Sequence, residues 1–543
     1  MRLWRRVRMS ALFGLGIVLA TAVPASGQTY EDERRSIGLS PDPISRSPGL
    51  FGMGRLTLVG ADPHNRITLW DFARNPAGIA EAESSSALDV RPGTSAASDV
   101  TELFPSTLER QTLAAREVRT EIEGWRRSGN SAYGVNFDFA SLREDAPYAV
   151  DIELRRHISN PGGMAALNGL LPFVKSGRVK YALTLVTRRE AGDDQYRGYV
   201  RNTTGEYIDR NGATYSSPNY FVPDRRRLTT LGGGAALSYR FGPWLEAAAI
   251  GDLVNQELAL SSSAGRYSSE IREQPRGHRP YPVGQATLIG RVGKSLEWGW
   301  DGRVWNARSE QRWAFTVSAG IGQNPLAGRG KRADREEHGS EMRSRLRWTL
   351  GPFEVGGSFG TGYLSDVILP PAQSDLTSLN RFLYDVYRRP NADSLALPDS
   401  ISYHRAEQRT RQAAGGVAVR LPGRRGLLGA EYHASQDERQ QLPGGLGPRQ
   451  VGWDVRTGLE FRCTAVLTGR AGYIHQSLDL DDQTKNNEFI GNTGTLGLGL
   501  KPQGAAWSLD VGYALEWWRA DYGDPALPHG SRQQLMSQIR WVF

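Results

Sequence analysis

Trp507-Ser-Leu-Asp-Val-Gly-Tyr-Ala-Leu-Glu-Trp517 alternates without a slip. Trp507, Leu509, Val511, Tyr513, Leu515 and Trp517 share one face, and Ser508, Asp510, Gly512, Ala514 and Glu516 share the other. Successive side chains of an extended strand point to opposite faces, and roughly ten residues is what a tilted strand needs to cross a bilayer. The pattern recurs along the chain. Val451, Trp453, Val455, Thr457, Leu459 and Phe461 oppose Asp454, Arg456, Gly458 and Glu460, and Phe353, Val355, Gly357 and Phe359 oppose Glu354. Tyr133, Val135, Phe137 and Phe139 repeat it, as do Tyr148, Val150, Ile152 and Leu154. Few soluble folds sustain this over so many segments, and the fold class it implies is all-β, a transmembrane antiparallel up-and-down β-barrel.

Marking each alternating run gives candidate strands at 84–91, 117–127, 130–141, 148–158, 177–190, 228–241, 243–255, 283–300, 303–321, 341–351, 353–364, 409–420, 425–437, 449–462, 464–477, 491–501, 505–518 and 531–543. The best count is 18, with 14 and 16 as alternatives. Tight connections at 128–130, 242, 301–302, 352, 422–424, 463 and 502–504 alternate with long ones, the short-turn, long-loop asymmetry of outer-membrane barrels. Residues 283–321 admit a cut near Gly293-Lys294-Ser295, but the Asp301-Gly302 dipeptide is a favoured hairpin turn, and two strands joined there keep the parity. Met164-Ala-Ala-Leu-Asn-Gly-Leu-Leu171 reads as a short apolar helix in the 159–176 connection. Asp99-Val-Thr-Glu102 reads as a capping box opening a helix in loop 92–116. The longest loop, 365–408, either folds inward as a constriction or stands outside as a cap.

Both ends agree with export. Arg2, Arg5, Arg6 and Arg8 precede an apolar run from Ala11 to Val23 and the small residues Ala25-Ser-Gly27, the pattern of a secretory signal peptide over 1–27. At the other end the chain finishes Ser537-Gln-Ile-Arg-Trp-Val-Phe543, an alternating strand with Trp541 and the terminal Phe543 outward, the ending expected of a barrel handed to an outer-membrane assembly machinery. No later apolar run reaches the ~18–20 residues of a membrane helix. A mean hydropathy of −0.47 does not argue against insertion, because barrels show lipid an apolar side chain only at every second residue. The net charge of +8 includes the four signal arginines, leaving a balance too weak for nucleic-acid binding and ordinary for a surface meeting outer-membrane lipid and lipopolysaccharide. The single cysteine, Cys463, leaves no intrachain disulfide to expect.

Between the signal and the strands, residues 28–80 form a segment of their own, with the barrel at 81–543. It contains Gly49-Leu-Phe-Gly-Met-Gly54, the apolar run Leu56-Thr-Leu-Val59, and Ile67-Thr-Leu-Trp70-Asp-Phe72-Ala-Arg-Asn75-Pro76-Ala77-Gly78. Pro76 fixes its own φ, Asn75 before it is pushed out of helix, and Gly78 permits close approach to a wall. This stretch resembles the N-terminal hatch of the long-chain fatty-acid transporter (FadL-like) family and its secretion-associated relatives, with Asn75, Pro76, Ala77 and Gly78 at the motif and Trp70 or Phe72 as the preceding aromatic. The resemblance implies a hatch inside the barrel that gates passage of hydrophobic substrates. Two features depart from the family: the strand count is higher than its usual one, and Asp62, His64, Asn65 and Arg66 interrupt the small-residue run.

Catalytic constellations are thin. The eight histidines are scattered, with no HExxH and no helical pair at metal-ligand spacing, so neither an enzyme nor a metal or other cofactor is expected. The inward phase is more informative. It carries charges of both signs, among them Arg343, Arg345 and Arg347 on one strand, Glu354 on the next, and Asp454, Arg456 and Glu460 further on. Such residues brace a wall by cross-strand pairing or set the field of a pore, and the three arginines are the best candidate for an anion-attracting ladder. The function expected is an outer-membrane channel or transporter of a Gram-negative bacterium for passive passage of hydrophobic or amphipathic small molecules, gated by the N-terminal plug. The alternative is a non-transporting structural or secretion-associated barrel that binds an envelope partner protein.

Overall fold

A computed structural model describes residues 53, 55, 56, 58, 59, 86–102, 110–128, 131–149, 152–170, 178–197, 200–201, 207–208, 214–215, 225–264, 267–293, 295–317, 326–369, 404–422, 425–442, 445–481, 486–521 and 529–543. The signal peptide, Trp70, Phe72, the motif Asn75–Gly78 and loop residues 370–403 lie outside the described residues. In chain order the wall strands are β1 (Ser86–Glu102), β2 (Arg110–Ser128), β3 (Ser131–Ala149), β4 (Ile152–Leu170), β5 (Val179–Arg197), β6 (Arg225–Arg240) and β7 (Leu245–Ala264). There follow β8, in two collinear pieces (Tyr267–Pro275 and Tyr281–Val292), β9 (Leu296–Val317), β10 (Leu326–Leu350), β11 (Phe353–Leu369) and β12 (His404–Arg420). The last are β13 (Gly426–Leu442), β14 (Gly445–Arg462), β15 (Leu467–Asp481), β16 (Asn486–Leu500), β17 (Trp507–Asp521) and β18 (His529–Val542).

Each strand pairs antiparallel with the next, and β1 pairs back onto β18, Leu88 opposite Trp541 and Val100 opposite His529, so the sheet closes on itself. Phe543 finishes the seam: its N–H donates to the Ser86 carbonyl at 3.1 Å and its own carbonyl accepts from Ser86 Oγ at 3.0 Å. Counting β8 as one position, the wall has the eighteen expected. Strands ~4.8 Å apart and tilted by roughly 40° would make a backbone cylinder roughly 35 Å across, whose lumen, narrowed by the inward side chains, is in the range that holds an aqueous channel unless something fills it.

The outward phase explains the composition. Leu183, Leu231, Leu237, Leu253, Leu346, Val417, Leu428, Leu496 and Leu498 are exposed on the outer face. Phe241, Trp244, Trp348, Phe353, Phe461 and Trp507, also exposed, cluster beside the short turns. An apolar band edged by aromatics is the surface of a wall solvated by lipid.

Several sequence expectations are corrected. Asp301 and Gly302 lie inside β9, paired with Thr287 and Ala286 on one side and Arg343 and Met342 on the other. The hairpin turn is at 293–295, where Gly293 has φ 61°. The helix expected in 159–176 is strand through Leu170, and Asp99-Val-Thr-Glu102 is the end of β1. Much of loops 256–282 and 322–340 is also strand, in β7, β8 and β10. For Asp99–Glu102 and the two loops the cause is shared: the strands run 14 to 25 residues where unbroken, well past a bilayer span, and beyond the band their outer faces are charged, so the hydrogen-bonded ladder continues after the apolar alternation ends.

Candidate functional site: the periplasmic end of the lumen

Three inward positions near the short-turn end carry no side chain: Gly356 on β11, Gly429 on β13 and Gly458 on β14. Gly429 and Gly458 are direct cross-strand partners, and the inward positions flanking them are Ala418 and Glu431. The wall is therefore recessed over an arc of four strands. Into the recess fits part of the N-terminal segment. A Cβ on Gly458 would stand 2.1 Å from the Met53 carbonyl oxygen, one on Gly429 2.7 Å from Leu56 Cδ1, and one on Gly356 2.9 Å from both the Cβ and the carbonyl oxygen of Leu58. Met53, Leu56, Leu58 and Val59 are all buried, the last two packed on Ala418 with Ala414 and Leu427 at the edge.

Polar contacts fix the segment's backbone. Glu431 Oε1 accepts from the N–H of Leu58 at 2.6 Å and of Val59 at 2.9 Å, while its Oε2 lies 2.8 Å from His433 Nε2. Arg456 donates through Nη1 to the Arg55 carbonyl at 2.8 Å, and its Nε and Nη2 hold Asp454 at 2.6 and 3.2 Å. Arg55, at φ 56°, extends its guanidinium to Gln534 on β18, so the segment bridges from the β11–β14 arc toward the seam. Burial pushes the Arg55 guanidinium down to about 10, opposed by Glu516, with Arg532 and Arg456 lowering it further and Asp454 raising it. At neutral pH it stays charged. A carboxylate with two converging backbone donors is a strong acceptor arrangement, and here the donors are residues 58 and 59.

The remaining inward charges mostly brace the wall. Arg420 pairs with Glu354, and Arg470 links Glu460 at 2.8 Å to Asp510 at 2.5 Å. Near the seam, Arg91 gathers Asp89, Glu121 and Glu123 at 3.3, 3.7 and 3.0 Å. In the expected arginine ladder, Arg347 donates to Glu297 at 2.9 Å and Arg345 is partnered, while Arg343 is exposed and makes no ion pair among the described residues. The ladder is thus partly neutralised. Asp454 and Arg456 converge on the N-terminal segment, whereas Glu354, Glu460 and Arg347 pair with other residues of the wall.

One patch of the inner wall is apolar. Val254, Tyr281, Val283, Trp305 and Ala307, on β7, β8 and β9, form a buried cluster against which Leu364 of β11 packs. The Trp305 indole lies across Gly339, where a Cβ would meet it at 1.9 Å, and its Nε1 donates to Glu337 at 2.9 Å. Higher on the wall are Leu228, Leu258 and Leu260, level with Ile271 and Trp313. Between the two patches runs a polar belt in which Arg335 joins Asp366 at 2.6 Å (Nε) and Glu273 at 3.6 Å, and Glu273 accepts from Ser309 and Gln311. Neither the glycine recess nor this patch was singled out from sequence. The signal for both lies in the phase: inward glycines on neighbouring strands, and inward Val, Tyr and Trp where the inner face should be polar. Among the described residues no group of three or more His, Cys, Asp or Glu could hold a metal ion.

No protein-family model and no curated protein matches the sequence. Solved structures that resemble the chain include the Ralstonia pickettii toluene transporter TbuX, at 12% identity and TM-score 0.36, covering 92% of this chain and 99% of that one. The Pseudomonas putida toluene transporter TodX is 11% identical with TM-score 0.34, covering 92% and 99%. A Pseudomonas aeruginosa FadL homologue is 10% identical with TM-score 0.33, covering 91% and 98%.

Proposed function

We propose that the protein is an outer-membrane channel for passive passage of hydrophobic or amphipathic small molecules, closed on its periplasmic side by the N-terminal segment of residues 28–80. The observation that carries the reading is the seating of residues 53–59 in a glycine recess of the inner wall, with backbone donors delivered to Glu431. A wall that needed only to be filled would be filled by its own side chains. Removing three Cβ atoms to admit a separate segment makes sense where that segment must dock and leave. The apolar cluster around Trp305 supports a greasy cargo only in that Val, Tyr and Trp stand on the inner face, packed against one another, where a bore for polar solutes would carry polar groups.

In this reading Asp454 and Arg456 position the plug, the Asn75–Gly78 motif with Trp70 and Phe72 belongs to the same gate, and Arg343, Arg345, Arg347, Glu354 and Glu460 shape the lumen. Trp541 and Phe543 present the closing strand to the assembly machinery, and outer-membrane lipid and lipopolysaccharide solvate the band. No step calls for catalysis or a cofactor. The test is permeation into proteoliposomes: a small hydrocarbon probe should equilibrate faster through the inserted protein than a sugar of similar volume, and a rate no better than protein-free liposomes for either would overturn the proposal.

A further inference from the structure

The two pieces of β8 are separated by an insertion relative to both neighbouring strands. Pro275 pairs with Ser309 and Val283 with Trp305, so β9 spans the interval with residues 306–308 while β8 uses 276–282. The excess forms a 3-10 turn, Arg276–His278, closed by the Arg279 N–H on the Arg276 carbonyl at 3.4 Å. Gly277 has φ 62° and His278 φ 56°. A residue with a Cβ is disfavoured in that left-handed region, and such outliers concentrate where a backbone is held for a purpose.

The turn is the exposed part of this stretch. On the inner side of this stretch Tyr281, Val283, Trp305 and Ala307 are buried against one another, while residues 276–280 are exposed throughout. It also sits at a defined height. Leu253 on β7 and Val304 on β9, both more than half exposed, are the last apolar outward residues of their strands before Asn255 and Asn306. Arg308, within the interval the turn spans, is four residues past Val304, about 13 Å along the strand. The turn therefore stands at the rim of the apolar band on the side of the long loops.

Charge pairing separates it from its surroundings. Three exposed cations on the same strands hold a carboxylate: Arg272 with Glu270 at 2.6 Å, Arg308 with Glu336 at 3.3 Å and Arg312 with Glu310 at 2.8 Å. Arg276 and Arg279 make no ion pair among the described residues. Two guanidinium groups three residues apart in the chain, with a histidine between them in sequence, have the chemistry to take a phosphate, and the apolar rim below has that of the acyl chains attached to one.

We infer that the Arg276–Arg279 turn binds the phosphate of an outer-leaflet lipid headgroup, fixing a phosphorylated lipid against the outer wall at β8 and β9. The inference rests on the membrane placement proposed above. Its test is binding of diphosphoryl lipid A to the full-length protein in neutral-lipid nanodiscs, for wild type, for Arg276→Ala with Arg279→Ala, and for Arg425→Ala with Arg462→Ala at the opposite rim. Insertion is checked separately by heat-dependent gel mobility, so failure of the membrane reading shows as a protein that does not insert. The expected result is a loss of about tenfold in lipid A affinity for the first double variant, little change for the second, and no competition from millimolar inorganic phosphate. Equal affinity in all three inserted proteins, an equal loss in both double variants, or displacement of lipid A by inorganic phosphate alone would each overturn the assignment.

Discussion

Replacing Glu431 by alanine should open the channel. The carboxylate receives the N–H groups of Leu58 and Val59 at 2.6 and 2.9 Å in a buried setting, and a hydrogen bond to a charged group is worth about 1.5–3 kcal/mol. Losing both, with part of the loss recovered when the freed N–H groups reach water, leaves a deficit of about 3 kcal/mol, or about a hundredfold in the docked-to-undocked ratio. Glu431→Gln retains a carbonyl oxygen at similar reach but not the charge, so its effect should be intermediate, about tenfold. The assay is single-channel recording in planar bilayers, reading the fraction of time closed, with heat-dependent gel mobility to confirm that each barrel is folded. Because Glu431 also meets His433, a His433→Ala control separates the two contacts. If Glu431→Ala is folded, inserted and closed as often as wild type, the carboxylate does not hold the segment and the latch is refuted.

Further outcomes follow from the same geometry. Gly458→Val should expel residues 53–59, because its Cβ would overlap the Met53 carbonyl, whereas Gly415→Val, with nothing within 4 Å, should leave closure unchanged; single-channel recording distinguishes them. Leu58→Cys with Ala418→Cys, in a Cys463→Ser background, should form a disulfide on mild oxidation and hold the channel shut until reduced; ready oxidation without any change in current would break the link between docking and closure. Leu496→Arg, midway along the lipid-facing side of β16, should cost about 2–4 kcal/mol in a folding titration into vesicles, while a change at a lumen position should cost much less.

How much of this could be read in the sequence follows from what each feature depends on. The wall was legible because its outward residues meet lipid, and lipid enforces alternation at every strand: Trp507 to Trp517 is the clearest case. The strand tops were illegible for the complementary reason. Around Arg308 and Glu336 water replaces lipid, both faces become polar, and only backbone pairing remains to define the strand. Asp301-Gly302 misled because turn propensity is a local preference, here outweighed by pairing on both sides, with Gly302 covered by the Trp300 ring. The recess was hidden because a missing side chain leaves no mark in a hydropathy pattern; it becomes visible only when Gly356, Gly429 and Gly458 are placed in register on neighbouring strands.

The central claim is a closed lipid-facing cylinder whose bore is shut by its own N-terminal segment. Its most direct test is planar-bilayer conductance of the protein with and without residues 28–80, both confirmed as folded barrels. The account predicts small, rare currents from the intact chain and a large, sustained conductance after deletion. Equal currents from the two forms, or none from either, would contradict it.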